Sequence, residues 1–245
     1  MSIPTREQQI GVTLPSTAVK MLVVQPYLEL QSPRQEPFPL RPECSRRLLD
    51  AITNVFEISR TYCPHLVLFP EFTLPGVEAV ERVVACLSAE TVSSPTIVIG
   101  GVSGLSKDEY ARLCRLNGIH VDAENAPHRV AGTEWVNTSV TFVKGDDGAL
   151  SMWIQPKISP SWLEVNANHQ NMFKGGAVRI FRAQFDTRVP CRFFSLLCFD
   201  WVGTRNGTTI PDAILQVVLQ VSNADKFVAE RLSCVLRLPN RKGCR

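Results

Sequence analysis

Two kinds of hydrophobic pattern alternate along the first part of this chain. Short continuous apolar runs, which have the length of buried strands, occur at 20–25, 65–71 and 95–104. Between them, apolar residues recur at helical spacing in 40–60 and in a segment that begins near Gly76. Because helices that alternate with strands cover the faces of one sheet, this order predicts an α/β domain.

The pattern changes in the second half. Residues 105–132 are polar and irregular, which predicts a surface excursion. Two strand-like segments then flank Asp147-Gly148, and an Asp-Gly pair between apolar strands is a hairpin signal. Three further strands are predicted, in AVRIFRAQF, CRFFSLLC and AILQVVLQVSN.

Length and composition fit a single folded domain. The chain has 245 residues and 44% of them are hydrophobic, which is enough for a substantial core. No internal repeat or convincing linker interrupts it. We therefore predict a flexible N-terminal arm at 1–18, one domain at 19–235 and a basic tail at 236–245.

Charge and hydropathy narrow the classes of partner. The formal net charge is +3 and the basic residues are scattered apart from the tail, so we expect no nucleic-acid binding. No apolar run approaches the ~18 residues of a membrane span. The polar N-terminal segment lacks a signal-peptide core. We expect no membrane association and a cytoplasmic location.

Cysteine and histidine usage argues against a disulfide framework and a metal centre. The eight cysteines form no Cys-x-x-Cys pair, and several lie in apolar runs. The four histidines show no ligand spacing. Reduced thiols and no metal site are the expectation.

Three polar residues follow apolar strands directly. Glu71 follows LVLFP, Lys157 follows SMWIQP and Cys198 follows FFSLL. In an open α/β sheet, sites are built at strand ends. A carboxylate that takes the thiol proton, a thiolate that attacks an electrophilic carbon and an ammonium that stabilises an oxyanion suffice for acyl chemistry.

Each of these residues also has a structural interpretation. A strand cysteine is usually a small core hydrophobe, which applies to Cys198. Taken alone, a residue such as Glu71 is more often an acid at a helix N-terminus, and one such as Lys157 is most often a solvated surface charge. Their common position at strand ends favours the chemical interpretation.

Five segments resemble those of the carbon–nitrogen hydrolases, the nitrilase superfamily, and they follow the family order from about residue 20 to about residue 225. The resemblance implies an α-β-β-α sandwich, in which two stacked mixed sheets carry helices on their outer faces. The segments are LVLFPEFTLPG, PTIVIGGVSG, WVNTSVTFVKGDDGALSMWIQPKI, NMFKGGAVRIFRA and RFFSLLCFD.

The resemblance also implies a role for each candidate residue. Glu71 would be the general base, Lys157 would stabilise the tetrahedral intermediate and Cys198 would be the nucleophile. Glu164 resembles a second family glutamate that orients the site, although a surface acid is the alternative. The backbone N–H of Phe199 would be a further oxyanion donor, as in other nucleophile elbows.

The implied activity is hydrolysis of non-peptide C–N bonds in a small-molecule amide or nitrile, through a Cys198 thioester and without a cofactor. An acyltransferase would use the same three residues with an amine in place of water. The alternative of a different class is a nitrilase-like accessory or regulatory domain in a larger assembly.

The family fold has further strands beyond VSNAD, so we expect either that the closing strands are absent or that the chain is a fragment of a longer protein. A sheet without its edge strands exposes unpaired backbone groups. We therefore expect a homodimer or larger assembly that covers this surface.

Overall fold

The computed structural model describes residues 3–31, 37–160, 164, 171–197 and 215–219. Cys198, Phe199 and the predicted tail lie outside these described residues.

The predicted elements are present in the predicted order, and the structure adds further short elements and an N-terminal strand. The helices are α1 (Pro42–Tyr62), α2 (Gly76–Ser88) and α3 (Lys107–Leu113), with 3₁₀ turns at Ala123–Asn125 and Pro127–Arg129. The strands are β1 (Thr5–Leu14), β2 (Met21–Val23), β3 (Leu66–Leu74), β4 (Thr96–Ser106), β5 (Ile119–His120), β6 (Glu134–Lys144), β7 (Leu150–Pro156), β8 (Asn171–Met172), β9 (Val178–Phe185), β10 (Pro190–Leu197) and β11 (Leu215–Leu219). The strand–helix alternation through β4 and the hairpin of β6 and β7 are confirmed.

Two mixed sheets make up the described part of the chain. The larger has seven strands in the order β2-β3-β4-β6-β7-β5, with β8 paired to β6, and the smaller has the order β1-β9-β10-β11. Pairing is parallel from β2 to β4 and antiparallel from β4 to β7. In the smaller sheet only β9 and β10 are antiparallel.

Strand alternation divides the core into two layers. On β3, Leu66 and Leu68 join side chains of the smaller sheet, such as Phe193, in one buried cluster. Val67 and Phe69, on the opposite face, pack with residues of all three helices. The layer order is therefore helices, large sheet, small sheet, which is compatible with an α/β sandwich.

The longest described helix shows how its sequence selects one face for burial. In α1, Leu48, Ile52, Val55 and Phe56 are buried at the predicted spacing, and Pro42 starts the helix where a missing N–H costs nothing.

Among the described residues, no helix has both the length and the apolar character needed to cross a membrane.

The N-terminal segment differs from the predicted arm. Thr5–Leu14 forms β1, which pairs in parallel with β9 from Thr5↔Val178 to Leu14↔Phe185. Ile10, Val12 and Leu14 are buried between the sheets. This strand was not predicted from the sequence, because the partner of β1 lies more than a hundred residues away along the chain.

Residues 105–132 also contain more structure than the predicted excursion. Ser106 caps α3 by accepting from the Glu109 N–H, while the Glu109 carboxylate accepts from the Ser106 N–H at 2.8 Å. This capping box was readable in the sequence as Ser-x-x-Glu. Tyr110 and Leu113 of α3 are buried against the large sheet.

Candidate active site

Three charged side chains meet in a buried cluster. The Lys157 ammonium donates to Glu71 Oε1 at 3.0 Å and to the two Glu164 carboxylate oxygens at 2.8 and 2.7 Å. Lys157 is 1% exposed, Glu71 is 2% exposed and Glu164 is 4% exposed. The structure thus brings together three of the five predicted site residues, and Cys198 and Phe199 lie outside the residues it describes.

The burial of this cluster decides between the interpretations left open by the sequence. Lys157 is not a solvated surface charge and Glu164 is not a surface acid, because both are almost inaccessible to solvent. Burying charged groups is costly unless they are paired and hydrogen-bonded. Buried ionisable groups with perturbed pKa values are concentrated at functional sites, so this cluster is the candidate active site.

A backbone irregularity in β3 turns Glu71 toward Lys157. Regular alternation would place Glu71 with Val67 and Phe69 on the helix side of the sheet. The pairing of β3 with β4 shifts register between Phe69 and Leu74, and Phe72 adopts a left-handed φ of 62°. Bulky residues rarely take this conformation, and such outliers cluster at active sites.

Gly101 on β4 lets the backbone at Glu71 approach closely. A Cβ atom at Gly101 would lie 2.8 Å from the Pro70 carbonyl oxygen and 2.9 Å from the Glu71 nitrogen. The close approach of the backbone at Glu71 therefore explains why a glycine occupies position 101.

Replacing Gly101 by alanine is expected to destabilise the protein by about 1–3 kcal/mol, because the new methyl group must displace the backbone that carries Glu71. Urea unfolding measures the loss. Gly132→Ala is the matched control, since a Cβ there meets nothing within 4 Å. Equal unfolding midpoints for the two variants would show that the backbone at Glu71 can shift without cost.

The register of the β6–β7 hairpin places Asn137 beside Lys157. The Lys157 N–H donates to the Asn137 carbonyl oxygen at 2.8 Å, just beyond the paired residues Thr138 and Pro156. The Gly175 N–H in turn donates to the Lys157 carbonyl oxygen at 2.8 Å. Backbone hydrogen bonds therefore hold Lys157 on both sides.

The Asn137 side chain links the two carboxylates. Its Nδ2 donates to Glu71 Oε1 and, at 2.9 Å, to Glu164 Oε1. No role was predicted for Asn137 from the sequence. The signal was present, because asparagine is depleted in strands and this one stands in an otherwise strand-forming run.

The balance of charge in the cluster affects the acidity of Glu71. Among the described residues, two carboxylates face one ammonium, with Asn137 as a neutral donor. Burial raises the pKa of Glu71, Lys157 lowers it and Glu164 raises it, and the net direction is upward. A carboxylate with a raised pKa is a stronger base, which suits proton transfer near neutral pH.

The end of β10 packs on the face of β6 that carries Ser139 and Asn137. Ser195 Oγ lies 3.2 Å from Ser139 Oγ, and Ser139 is two residues from Asn137 on its strand. Leu197, the last residue of β10, is buried between the sheets. Cys198 is the next residue in the sequence.

No protein-family model matches this chain, and no curated protein is significantly similar to it. Its function therefore has to be inferred from the chemistry of the buried cluster. In the described ranges, no group of three or more His, Cys, Asp or Glu side chains is placed to hold a metal ion.

The 105–132 segment is attached close to the cluster. Gly176, which follows the Gly175 bonded to Lys157, donates its N–H to Asn125 Oδ1 at 2.8 Å. The buried Tyr110 hydroxyl donates to the Asn125 carbonyl oxygen at 2.7 Å. Hydrogen bonds therefore connect this segment to Gly176, and the adjacent Gly175 is bonded to the Lys157 carbonyl oxygen.

Proposed function

We propose that this protein hydrolyses non-peptide C–N bonds in small-molecule amides or nitriles, with Cys198 as the nucleophile and with the α-β-β-α sandwich of the nitrilase type. The observation that carries the proposal is the buried Glu71–Lys157 pair, with its 3.0 Å contact and with Glu164 on the same ammonium. Cys198 follows β10 directly in the sequence, and Ser195 of that strand lies 3.2 Å from Ser139 on β6, the strand that carries Asn137.

The first half-reaction forms a thioester. Glu71 takes the proton of the Cys198 thiol as Sγ bonds to the amide carbon, and the carbonyl π electrons move onto oxygen. The tetrahedral intermediate collapses when the C–N bond breaks, and the proton held by Glu71 passes to the leaving nitrogen. Ammonia or an amine departs, and the acyl group remains on sulfur.

Lys157 supplies the positive charge that this step needs. Its ammonium stabilises the oxyanion, together with the backbone N–H of Phe199. Glu164 orients the ammonium by accepting from it with both carboxylate oxygens. Because the cluster is buried, these interactions act in a medium of low dielectric constant and are stronger than in water.

The second half-reaction releases the acid. Glu71 removes a proton from water as the water oxygen bonds to the thioester carbon, and the C–S bond then breaks. The proton returns to sulfur and the free carboxylic acid leaves. An amine in place of water would make the protein an acyltransferase.

Assembly as a homodimer or a larger oligomer stays a prediction.

Cys198 is expected to react with iodoacetamide faster than the other seven cysteines near neutral pH, because a nearby ammonium favours the reactive thiolate. Burial raises the pKa of the Cys114 and Cys191 thiols to about 11, so these two should react slowly. Exposed Cys63 is the reference for an accessible thiol. Peptide mapping at several times gives the relative rates.

Intact mass after exposure to a panel of amides and nitriles tests the chemistry itself. An acyl adduct on the native protein that is absent from Cys198→Ala supports the thioester. If Cys198 is labelled no faster than Cys63 and no adduct forms, the hydrolase proposal fails and the accessory-domain alternative becomes the better one.

A further inference from the structure

We propose that Asn137 recognises the substrate directly, and that its side-chain oxygen accepts a hydrogen bond from the N–H of a carboxamide. The site would then select amides over nitriles and esters. This inference rests on the proposed hydrolase function and names the substrate class of that same site.

The two carboxylates determine which way the Asn137 carboxamide is turned. Its Nδ2 donates to one oxygen of Glu71 and one of Glu164. A flipped carboxamide would place Oδ1 against both acceptors. Protonation of Glu71 alone would relieve only one of these two repulsions, so the nitrogen faces the carboxylates in either protonation state of Glu71.

The consequence is a buried acceptor directed away from the charged cluster. Asn137 is fully buried, and its Oδ1 has no hydrogen-bond partner among the described residues. Buried polar atoms in native proteins nearly always have partners, and an exception indicates a strained, catalytic or ligand-binding group. An acceptor without a donor in a catalytic cluster fits a ligand that carries the donor.

The position of this acceptor selects the leaving nitrogen as its partner. Glu71 has to return a proton to that nitrogen, so the nitrogen must lie near Glu71. Asn137 contacts Glu71 through Nδ2, and Oδ1 is bonded to the same carbon as Nδ2. A primary or secondary amide offers an N–H at this place, whereas an ester and a nitrile offer none.

The test compares substrates within each enzyme variant. Matched primary amides, methyl esters and nitriles built on acetyl, butyryl and phenylacetyl groups are assayed for kcat/KM. In Asn137→Leu, which has a similar volume, we expect the amide-to-ester ratio of kcat/KM to fall about 10- to 100-fold, the effect of removing one hydrogen bond to a buried group. The ratio is independent of the fraction of folded enzyme, so partial misfolding does not obscure it.

Two further variants separate recognition from support of the carboxylates. Asn137→Asp keeps a side-chain oxygen and loses the donor, so the rates on amide and ester should fall while their ratio stays nearer to that of the native protein. Ser139→Ala, on the same face of β6, should leave the ratio unchanged.

An unchanged amide-to-ester ratio in Asn137→Leu, with both rates lowered, would overturn the inference and leave Asn137 as a residue that only positions Glu71 and Glu164. That outcome leaves the hydrolase proposal intact. If the native protein turns over no member of the panel and forms no Cys198 adduct, the proposed function fails and this inference fails with it.

Discussion

Replacing Lys157 by methionine is expected to lower turnover by about 10²-fold or more and the free energy of unfolding by about 3–5 kcal/mol. Turnover falls because the oxyanion loses its cationic donor. Stability falls because Glu71 and Glu164 are left buried without the ammonium that both contact. Steady-state kinetics and urea unfolding at pH 7 measure the two effects.

The stability loss should also depend on pH. Without the ammonium, each carboxyl is favoured in its neutral form, so Lys157→Met should lose more stability at pH 8 than at pH 5. Exposed Lys174 provides the control, because Lys174→Met should change stability by less than about 0.5 kcal/mol. Native turnover in Lys157→Met would remove Lys157 from the mechanism.

Glu71→Gln is expected to abolish turnover while making the protein as stable as the native chain, or more stable, at pH 8. The substitution removes the base and keeps the volume. It also leaves the Lys157 ammonium paired with Glu164 alone, which balances the charge of the described cluster. Loss of activity with a gain of stability is typical of residues that are strained for function.

The pH dependence follows from the raised pKa of Glu71. Its ordinary value is 4.5, and burial raises it in the folded protein. The stability contributed by the protonated form is therefore complete below about pH 4.5 and is lost as the pH rises through the folded pKa. Each unit of upward shift corresponds to about 1.4 kcal/mol, so the native protein should lose stability in this range and Glu71→Gln should not.

Glu164→Gln is the matched comparison, because it removes the same charge from the same cluster. It should reduce turnover less than Glu71→Gln, since the base is retained. Denaturant unfolding at intervals from pH 4 to pH 8 and parallel assays compare the variants. Equal turnover in the two variants would contradict the assignment of Glu71 as the base.

Local patterns in the sequence were sufficient to predict several of the elements. Helical spacing located α1, and the Asp147-Gly148 turn located the β6–β7 hairpin. Both depend on interactions within a few residues. The same reasoning placed Glu71 and Lys157 at the ends of core strands. Lys157 does follow β7 directly, whereas Glu71 lies within β3, where the register shift lets its side chain meet Lys157.

The sequence by itself determined the strand–helix order and the residue types available for acyl chemistry. Only the tertiary structure decided that Thr5–Leu14 is a core strand, that Glu164 is buried and that Asn137 joins the two carboxylates. The reason is physical. Strand pairing, burial and a side chain's direction past an irregular strand depend on groups far apart along the chain, and no local pattern encodes where those groups will meet.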